Sequence, residues 1–245
     1  MEYNLAIDRG NTSVKFSVLE GGKVVLTERF ERLTAEIVSA YKKRFAIGGV
    51  IYSSVAGDDI KEIALLESAF DRCLVLNSSL PMPLTIDYAT PRTLGADRMA
   101  VAVGALAAYP GRDLLVVDSG TAITLDLVTA DGCFRGGNIA PGIATRFASL
   151  SEHCARLPLL DAEGDIPLVG YDTATAIRSG VVMGVVAQVR QMYADLKADY
   201  PQLLVVLTGG DCHIIAKRLN LEEMEVNENL VTIGLNRILE HNESI

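Results

Sequence analysis

Apolar and polar residues alternate with two periods along this chain, a period of two typical of strands and a wider spacing typical of helices. In the first half, five β-rich runs bounded by glycine, proline or polar clusters predict strands at 3–8, 13–19, 23–30, 50–55 and 73–77. Apolar residues at helical spacing predict helices at 34–45, from 58 or 59 to 70, and 94–108. The proline-rich connection at 81–91 is expected to be irregular.

The second half repeats this order. Strands are predicted at 114–118, 123–128, 133–139 and 203–207. Helices are predicted at 143–151, at 173–200, after Asp211 as far as Leu219, and at 230–240. The motif Asp8-x-Gly10 matches Asp118-x-Gly120, and both residues are offset by 110 positions. An internal duplication produces such an offset. We therefore expect an α/β protein of two similar domains, at 1–110 and 111–245, with a nucleotide cleft between them.

Composition narrows the classes of function. Hydrophobic residues make up 49% of the chain, and the mean hydropathy is +0.27, which suits buried sheets. No apolar run is long enough to cross a membrane, and the N-terminus lacks the pattern of a signal peptide, so a cytoplasmic protein is expected. The net charge of -9 argues against a general affinity for nucleic acid or anionic membranes.

Cysteine and histidine are sparse. The four cysteines are scattered without a C-x-x-C pair, and the three histidines show no ligand spacing. The sequence therefore suggests neither a zinc site nor a disulfide framework. Buried thiols and ordinary histidines are expected.

The segment Asp8–Lys15 (DRGNTSVK) contains the groups that a phosphate chain requires. Gly10 allows a tight turn, and Asn11 and Thr12 supply donors. Lys15 carries a cation toward the terminal phosphates, and Asp8 suits a magnesium ion, held through water because magnesium dehydrates reluctantly. A single turn of this kind is also compatible with an ordinary hairpin.

A second turn and a glycine pair strengthen the phosphate interpretation. Asp118 to Asp126 repeats the first turn, so two turns would grip one nucleotide across the predicted cleft. Gly209 and Gly210 follow a buried strand and precede a helix, which would let the backbone lie flat against a base or ribose. On its own, such a glycine pair is also a common strand-to-helix turn.

The segment Leu94-Gly95-Ala96-Asp97-Arg98 is the best candidate for the acceptor site. Phosphoryl transfer needs a carboxylate that orients the acceptor hydroxyl and takes its proton, and Asp97 is placed for that task. Gly95 and Ala96 leave room for a substrate at a helix N-terminus, and Arg98 could bind a carboxylate or phosphate. The alternative is a surface helix start with a charge pair.

These motifs together resemble the type III pantothenate kinases over nearly the whole chain. The resemblance rests on six motifs in the family's order: Asp8-x-Gly10-Asn11-Thr12-x-x-Lys15, Leu94-Gly95-x-Asp97-Arg98, Asp118-x-Gly120-Thr121-Ala122-x-Thr124-x-Asp126, Gly136-Gly137-x-Ile139-x-Pro141-Gly142, Thr173-x-x-Ala176-Ile177-x-x-Gly180 and Thr208-Gly209-Gly210. It implies two ribonuclease H-like (actin-like) domains, a homodimer, and ATP-dependent phosphorylation of pantothenate to 4'-phosphopantothenate, the first step of coenzyme A biosynthesis. Magnesium and a monovalent cation, potassium or ammonium, are implied cofactors.

The resemblance also implies roles for individual residues. Asp97 would be the catalytic base, and Asp118 would bind the monovalent cation, whereas the residues alone suggested a second phosphate-site carboxylate. The pantothenate pocket would be lined by Tyr88, Gly95, Ala96, Asp97, Arg98 and Thr173. ATP would be bound by Asp8, Arg9, Gly10, Asn11, Thr12, Ser13, Val14, Lys15, Thr121, Gly209 and Gly210.

Several alternatives stay open at this point. Arg9 stands where the family pattern has a small apolar residue, and it could contact phosphate or point to solvent. Gly180 and Gly184 in the helix at 173–200 could serve packing within the chain or a dimer contact. Another hydroxyl kinase of the same fold, or a nucleotide-binding regulator without turnover, are the competing functions.

Overall fold

The computed structural model describes residues 2–10, 12–54, 57, 59–77 and 79–243. Three sequence-based predictions fall outside this part of the chain. They concern Asn11 in the first turn, Val55 at the end of a strand, and Asp58 as one of two predicted helix caps.

Strands and helices alternate along the chain in the predicted order. The strands are β1 Tyr3–Arg9, β2 Val14–Glu20, β3 Lys23–Phe30, β4 Ile47–Ser54, β5 Cys73–Val75, β6 Thr85–Ile86, β7 Leu114–Ser119, β8 Ala122–Thr129, β9 Cys133–Pro141, β10 Leu204–Thr208 and β11 Met224–Val226. The helices are α1 Ala35–Arg44, α2 Ile60–Ala69, α3 Ala96–Ala108, α4 Ile143–His153, α5 Thr173–Leu196, α6 Cys212–Leu219 and α7 Leu230–Glu243.

Polar side chains cap the starts of three helices. Thr34 accepts a hydrogen bond from the Ile37 amide at the start of α1, and Asp59 caps α2 by accepting from the Lys61 amide. Asp172 accepts from the Thr175 amide at 2.7 Å, and the Thr175 hydroxyl accepts from the Asp172 amide, which makes a capping box at the start of α5. Each cap satisfies amides that the first helical turn leaves unpaired.

The chain packs as two compact units. Unit 1 comprises Met1–Pro110, Gly132–Phe134 and Asn229–Ile245, and unit 2 comprises Gly111–Asp131 and Arg135–Glu228. Helix α7 therefore belongs to unit 1, although the sequence-based division at 110/111 assigned it to the second domain.

Unit 1 is built on a five-stranded sheet with the order β3-β2-β1-β4-β5. The three strands of the meander are antiparallel, while β4 and β5 run parallel to β1. One apolar cluster packs one face of the sheet against α1 and α2, and another packs the opposite face against α3 and α7. The sheet is thus covered by helices on both faces, which explains the continuous burial of β1 and β4.

Helices α3 and α7 pack together at two glycines. A β-carbon added at Gly104 of α3 would overlap the Leu230 carbonyl oxygen, and one at Gly234 of α7 would overlap the Ala100 carbonyl oxygen. Only hydrogen at these positions permits such a close approach of two helix backbones. This contact is the reason that α7 belongs to unit 1.

Unit 2 repeats the strand order of unit 1 as β9-β8-β7-β10-β11, within a six-stranded sheet in which β6 follows β9. Strand β8 is antiparallel to β7, and β10 and β11 run parallel to β7. Its core gathers the strands, α4, α5 and α6 in one buried cluster that includes Val117, Val185 and Leu207. Two units with the same strand order and directions confirm the predicted duplication and the predicted class of fold.

The structure corrects three details. The connection at 81–91 is not wholly irregular, because β6 pairs in parallel with Cys133 and Phe134 and a 3-10 turn covers Pro91–Thr93. Strand β11 was not predicted, since its three residues are too few for a clear alternation. Helix α5 ends at Leu196, four residues earlier than expected. Among the described residues, no helix has the length and apolar character needed to span a bilayer.

Candidate active site

A row of four polar residues runs across the sheet of unit 1. Asp8 on β1 is in register with Lys15 on β2, and Lys15 is in register with Arg29 on β3. On the other side, Asp8 is in register with Ser53 on the parallel strand β4. Because side chains at paired positions lie on the same face of a sheet, the row places a hydroxyl, a carboxylate and two cations side by side.

This row lies on the face that α3 covers. Two positions before Asp8 and Ser53, the side chains of Ala6 and Ile51 pack in the cluster with Ala100 and Val103 of α3. The period of two along a strand therefore directs Asp8 and Ser53 toward the same helix. Asp97, in the first turn of α3, acts electrostatically on Asp8, so the two carboxylates lie near each other.

The surroundings of Asp8 disfavour the ionised form of its carboxyl group. Burial raises the pKa of Asp8 above its ordinary value, and the neighbouring Asp97 carboxylate raises it further, while Lys15 and Arg29 act in the opposite direction. Burial is the largest of these effects. A further positive charge beside Asp8, in addition to Lys15 and Arg29, would stabilise its ionised form, which is the property expected of a carboxylate that serves a metal ion.

The turn between β1 and β2 is closed by its own backbone. The Gly10 amide donates to the Ser13 carbonyl oxygen at 3.0 Å, and Thr12 is exposed at the tip. Val14 is fully buried in the core of unit 1. The turn thus leaves Thr12 exposed close to the end of β1.

Arg9 neither points to solvent nor joins the row of Asp8. Its guanidinium donates to the Gly10 carbonyl oxygen at 3.0 Å, and its Nε lies 3.7 Å from a carboxylate oxygen of Glu62. Glu62 also accepts a hydrogen bond from the hydroxyl of Tyr52 at 2.7 Å, and burial together with this bond raises the pKa of Tyr52. Arg9 therefore braces the turn from the face covered by α2.

The start of α3 holds Asp97 in a fixed position. Its Oδ1 accepts the amide hydrogen of Arg98 at 2.8 Å, and a β-carbon at Gly95 would overlap the same oxygen. Ala96 is the first residue of the helix, and Gly95 precedes it in an extended conformation. The predicted small pair thus leaves the space that the Asp97 carboxylate occupies.

Arg98 and Tyr88 lie in contact with each other. Arg98 is only 6% exposed, and its guanidinium carbon lies 5.7 Å from the centre of the Tyr88 ring and 5.4 Å from that of Phe134. The two rings meet edge to face at 6.0 Å. Cation–π contacts of this kind hold a guanidinium in place beside the rings.

In unit 2, Asp118 occupies the position of Asp8, but its surroundings differ. Its antiparallel partner is Thr124, where unit 1 has Lys15, and its parallel partner is Thr208. Gly209 has a φ of +86°, and a β-carbon there would overlap Oδ1 of Asp118 and the Ser119 carbonyl oxygen. The second turn therefore lacks the lysine of the first and is closed over Asp118 by a glycine.

The Thr121 backbone is anchored from α4. Its carbonyl oxygen accepts from the Gly142 amide at 3.0 Å and from the Thr145 hydroxyl at 2.7 Å, while the residue itself is exposed. Gly210 is exposed and has open space where a β-carbon would stand. Thr121 and Gly210 are thus accessible in unit 2.

Thr173 lies at a cavity within unit 2, on the first residue of α5. The cavity has a volume of about 700 Å³, and Thr173, Ala176 and Gly180 of α5 face Pro141 and Arg146 across it. Large apolar side chains are exposed in the segment just before α5: Leu168 (83%), Val169 (79%) and Tyr171 (71%).

Three features of the structure were missed by the sequence reasoning. Arg29 and Ser53 join the row of Asp8 through strand pairing that the sequence does not reveal. Cys212, His213 and Glu228 lie with potential ligand atoms within 4.8 Å of one another, although the spacing of cysteine and histidine gave no sign of a cluster. His213 and Glu228 already contact each other directly, as an exposed ion pair does.

Comparison with known proteins identifies the family. The family model for type III pantothenate kinase matches residues 4–195. A type III pantothenate kinase from Porphyromonas gingivalis strain W83 is 37% identical over 245 residues, covering 99% of this chain and 100% of the relative. One from Bacteroides fragilis strain NCTC 9343 is 38% identical over 239 residues, covering 98% of each.

Solved structures share the fold at lower identity. A Campylobacter jejuni protein described as a Baf family transcriptional activator aligns with a TM-score of 0.64 at 22% identity, covering 98% of this chain and all of that one. A ROK hexokinase from Thermus thermophilus aligns with a TM-score of 0.59 at 12% identity, with 99% of each chain covered. An ADPNP-bound dehydratase activator from Clostridium difficile has a TM-score of 0.54 at 15% identity, covering 99% of this chain and 96% of that one.

These likenesses below 25% identity show the α/β fold alone. The family model and the relatives above 35% identity, which extend over nearly the whole chain, establish more than the fold. The chain belongs to the type III pantothenate kinase family.

Proposed function

We infer that this protein is an ATP-dependent kinase that phosphorylates the hydroxyl of pantothenate to give 4'-phosphopantothenate, the first step of coenzyme A biosynthesis. The observation that carries the inference is the shared position of Asp97 and Asp8 on the face of unit 1 that α3 covers. One carboxylate suits an acceptor hydroxyl, and the other suits the metal that accompanies ATP.

Asp97 is the proposed general base. It would accept the proton of the pantothenate hydroxyl as the phosphoryl group arrives, and its bond from the Arg98 amide keeps the carboxylate oriented for that transfer. The pantothenate carboxylate would bind Arg98, whose guanidinium is held against Tyr88. Gly95 and Ala96 supply the space beside Asp97, and we propose Thr173 as a further pantothenate contact.

The first turn is the proposed phosphate site. The backbone and hydroxyl donors of residues 9–14 would contact the phosphates, and the Lys15 ammonium would neutralise the charge that develops on the transferred group. We include Asn11 in this site because of its place in the motif. The Asp8 carboxylate would hold Mg²⁺ through water, and the ion would supply charge neutralisation of the phosphates.

The second turn is proposed to differ in task. Asp118 offers hard oxygen ligands without a neighbouring lysine, which suits potassium or ammonium better than phosphate. Thr121 and the Gly209–Gly210 turn would contact the nucleotide from unit 2. The two different roles are supported by the residue paired with each aspartate, which is Lys15 beside Asp8 in unit 1 and Thr124 beside Asp118 in unit 2.

A homodimer is also proposed. Leu168, Val169 and Tyr171 expose apolar surface next to the cavity that Thr173 lines. Exposed apolar patches on soluble proteins commonly mark interfaces. A second copy covering this face would bury these side chains and would bring Gly180, which has open space around it, against its partner.

The deciding experiment is a measurement of ADP release with purified protein, ATP and Mg²⁺ against a panel of hydroxyl acceptors that includes pantothenate, with and without potassium. Turnover with pantothenate that depends on potassium is expected. Turnover with another acceptor alone would establish a related hydroxyl kinase. ATP binding without turnover of any acceptor would establish a non-catalytic regulator.

A further inference from the structure

Ser53 has a buried hydroxyl that no residue in the described part of the chain satisfies. Its side chain is 1% exposed, and its Oγ makes no hydrogen bond to another described residue. A hydroxyl withdrawn from water without a partner costs roughly 1–3 kcal/mol. A group outside the described chain that completes its hydrogen bonding would remove this cost.

The position of Ser53 identifies the kind of group that is missing. Its neighbour in the parallel ladder is Asp8, and both side chains project toward the face that α3 covers. Asp8 is partly buried. A carboxylate and an unpartnered hydroxyl therefore adjoin each other at the place proposed for the metal of ATP.

The second unit repeats the register of a hydroxyl residue beside a carboxylate. Thr208 is in register with Asp118 on the parallel strand of unit 2, and it is also buried, at 2% exposure. Each unit thus places a β-hydroxyl residue beside the carboxylate that ends its first strand. A threonine at the equivalent position indicates that the hydroxyl, rather than the size of serine, is the common feature.

We propose that Ser53 is a positioning residue for the hydrated magnesium ion, and that its hydroxyl binds a water molecule of the ion's shell that Asp8 also binds. Magnesium keeps several of its waters in protein sites, and those waters need oxygen acceptors and donors around them. The inference rests on the proposed kinase function. It predicts that Ser53 contributes to the affinity for the metal–nucleotide complex but adds nothing to the stability of the free protein.

Ser17 provides a matched control. It is also 1% exposed and lies on the same face of the same sheet, in register with Ala6. Unlike Ser53, its hydroxyl has protein partners, Thr27 at 3.1 Å and Thr232 at 3.3 Å. Replacing each serine by alanine therefore compares a hydroxyl with internal partners and one without them.

The test uses Mn²⁺ in place of Mg²⁺ and a non-hydrolysable ATP analogue, with bound Mn²⁺ measured by electron paramagnetic resonance and Tm by calorimetry. Ser53→Ala is expected to weaken Mn²⁺ binding roughly three- to tenfold, the effect of one hydrogen bond, while the Tm of the free protein stays equal or rises. Ser53→Thr should restore the affinity. Ser17→Ala should lower the Tm and leave Mn²⁺ affinity unchanged.

The outcomes separate the two levels of the argument. Unchanged Mn²⁺ affinity in Ser53→Ala, or a Tm loss equal to that of Ser17→Ala, would overturn the role of Ser53. Failure of the unaltered protein to bind Mn²⁺ with the ATP analogue would instead remove the proposed function on which the role depends.

Discussion

Gly209 and Asp118 are so close that a β-carbon on the glycine would overlap the carboxylate oxygen of the aspartate. The φ of +86° at Gly209 adds a second reason for glycine, because this conformation costs other residues roughly 1–3 kcal/mol. The turn after β10 is thereby pressed against the end of β7.

The first prediction follows from this contact. Gly209→Ala should displace the Asp118 carboxylate and abolish the stimulation of turnover by potassium, with a loss of stability of roughly 1–3 kcal/mol. Gly111→Ala is the control, because Gly111 also has a positive φ, +72°, but a β-carbon there meets open space. Potassium titrations of ADP release would test both variants. Equal effects of the two substitutions would contradict the assignment of Asp118.

Asp97→Asn is expected to lower kcat by roughly 10²- to 10⁴-fold, the usual contribution of a general base, while ATP affinity stays nearly unchanged. The amide still accepts from the Arg98 N–H, so the helix start should be preserved. Calorimetric ATP binding and ADP release measure the two quantities. Asp71→Asn, at an exposed site before β5, should alter neither. A parallel loss of ATP affinity in Asp97→Asn would show that Asp97 serves the nucleotide instead.

Asp8 makes stability depend on pH. Burial and Asp97 raise its pKa above the ordinary 3.8, so the folded protein binds this proton more tightly than the unfolded chain. The resulting stabilisation is fully present below the unfolded pKa and is lost as pH rises through the folded pKa. Asp8→Asn should therefore raise the Tm of the ligand-free protein at neutral pH, and the gain should disappear in acid.

Asp172 supplies the opposite case. Its carboxylate accepts hydrogen bonds from the backbone amide of Thr175, which has the larger effect, and from the Thr175 hydroxyl, and both lower the pKa of Asp172. Its contribution to stability is therefore present above the unfolded pKa and is lost as the pH falls through the folded pKa. Asp172→Asn should lower the Tm at neutral pH. Melting curves of both variants across the acid range would show the two signs. A lower neutral Tm for Asp8→Asn would mean that the row of Lys15 and Arg29 outweighs the burial of the carboxylate.

Glycines in helices should differ sharply in their response to alanine. Gly104→Ala in α3 forces a β-carbon into the α7 backbone and should destabilise the protein by roughly 1–3 kcal/mol. Gly180→Ala in α5 meets no atom within the chain, so it should stabilise the isolated protomer by roughly 0.5–1 kcal/mol. Denaturant unfolding would measure both changes. Equal and small effects would contradict the close packing of α3 against α7.

Introducing charged residues on the exposed apolar surface before α5 tests the predicted homodimer. Leu168→Asp combined with Tyr171→Asp places two carboxylates on the exposed apolar surface before α5 and should shift the protein from twice 26.3 kDa to the mass of one chain. Light scattering after size exclusion gives the mass. Ile60→Asp, equally exposed but in unit 1, should leave it unchanged. A single-chain mass for the unaltered protein would refute the proposed homodimer.

Most of the fold could be predicted from the sequence because it depends on local signals. Alternation and turn residues located the strands of both meanders, and the 110-residue offset between Asp8 and Asp118 revealed the duplication. The order β3-β2-β1-β4-β5 and its repeat in unit 2 agree with that interpretation. The motif residues of the candidate site were found in the same way.

The neighbours of those residues were not predictable, because they depend on register. Counting back from the turn at Gly21–Gly22 places Glu28 opposite Lys15, but a shift in register at Val18/Leu19 places Arg29 there instead. Glu28 consequently lies on the other face, where it accepts a hydrogen bond from Tyr41. A one-residue shift thus decides which charge joins the row of Asp8.

Parallel pairing is still less visible in a sequence. Ser53 meets Asp8 only because β4 returns beside β1 after the crossover through α1, and no local pattern states the register of such a return. The association of α7 with unit 1 is likewise not visible in any local pattern, because it joins segments that are distant in sequence. It depends on the match of Gly104 and Gly234, which are 130 positions apart.

The packing of α7 against α3 has a consequence for synthesis on the ribosome. Residues 1–110 emerge first, yet one face of their sheet needs α7, and α7 follows all of unit 2 in the chain. Folding of the first unit therefore stays incomplete while more than a hundred further residues are translated, and the apolar surface of Leu19, Ile51 and Val103 is not yet covered by α7. Unit 2 does not require a segment that follows it in the chain, so we expect it to finish folding first. The exposed apolar face of the N-terminal sheet is then a surface that a chaperone would bind during elongation.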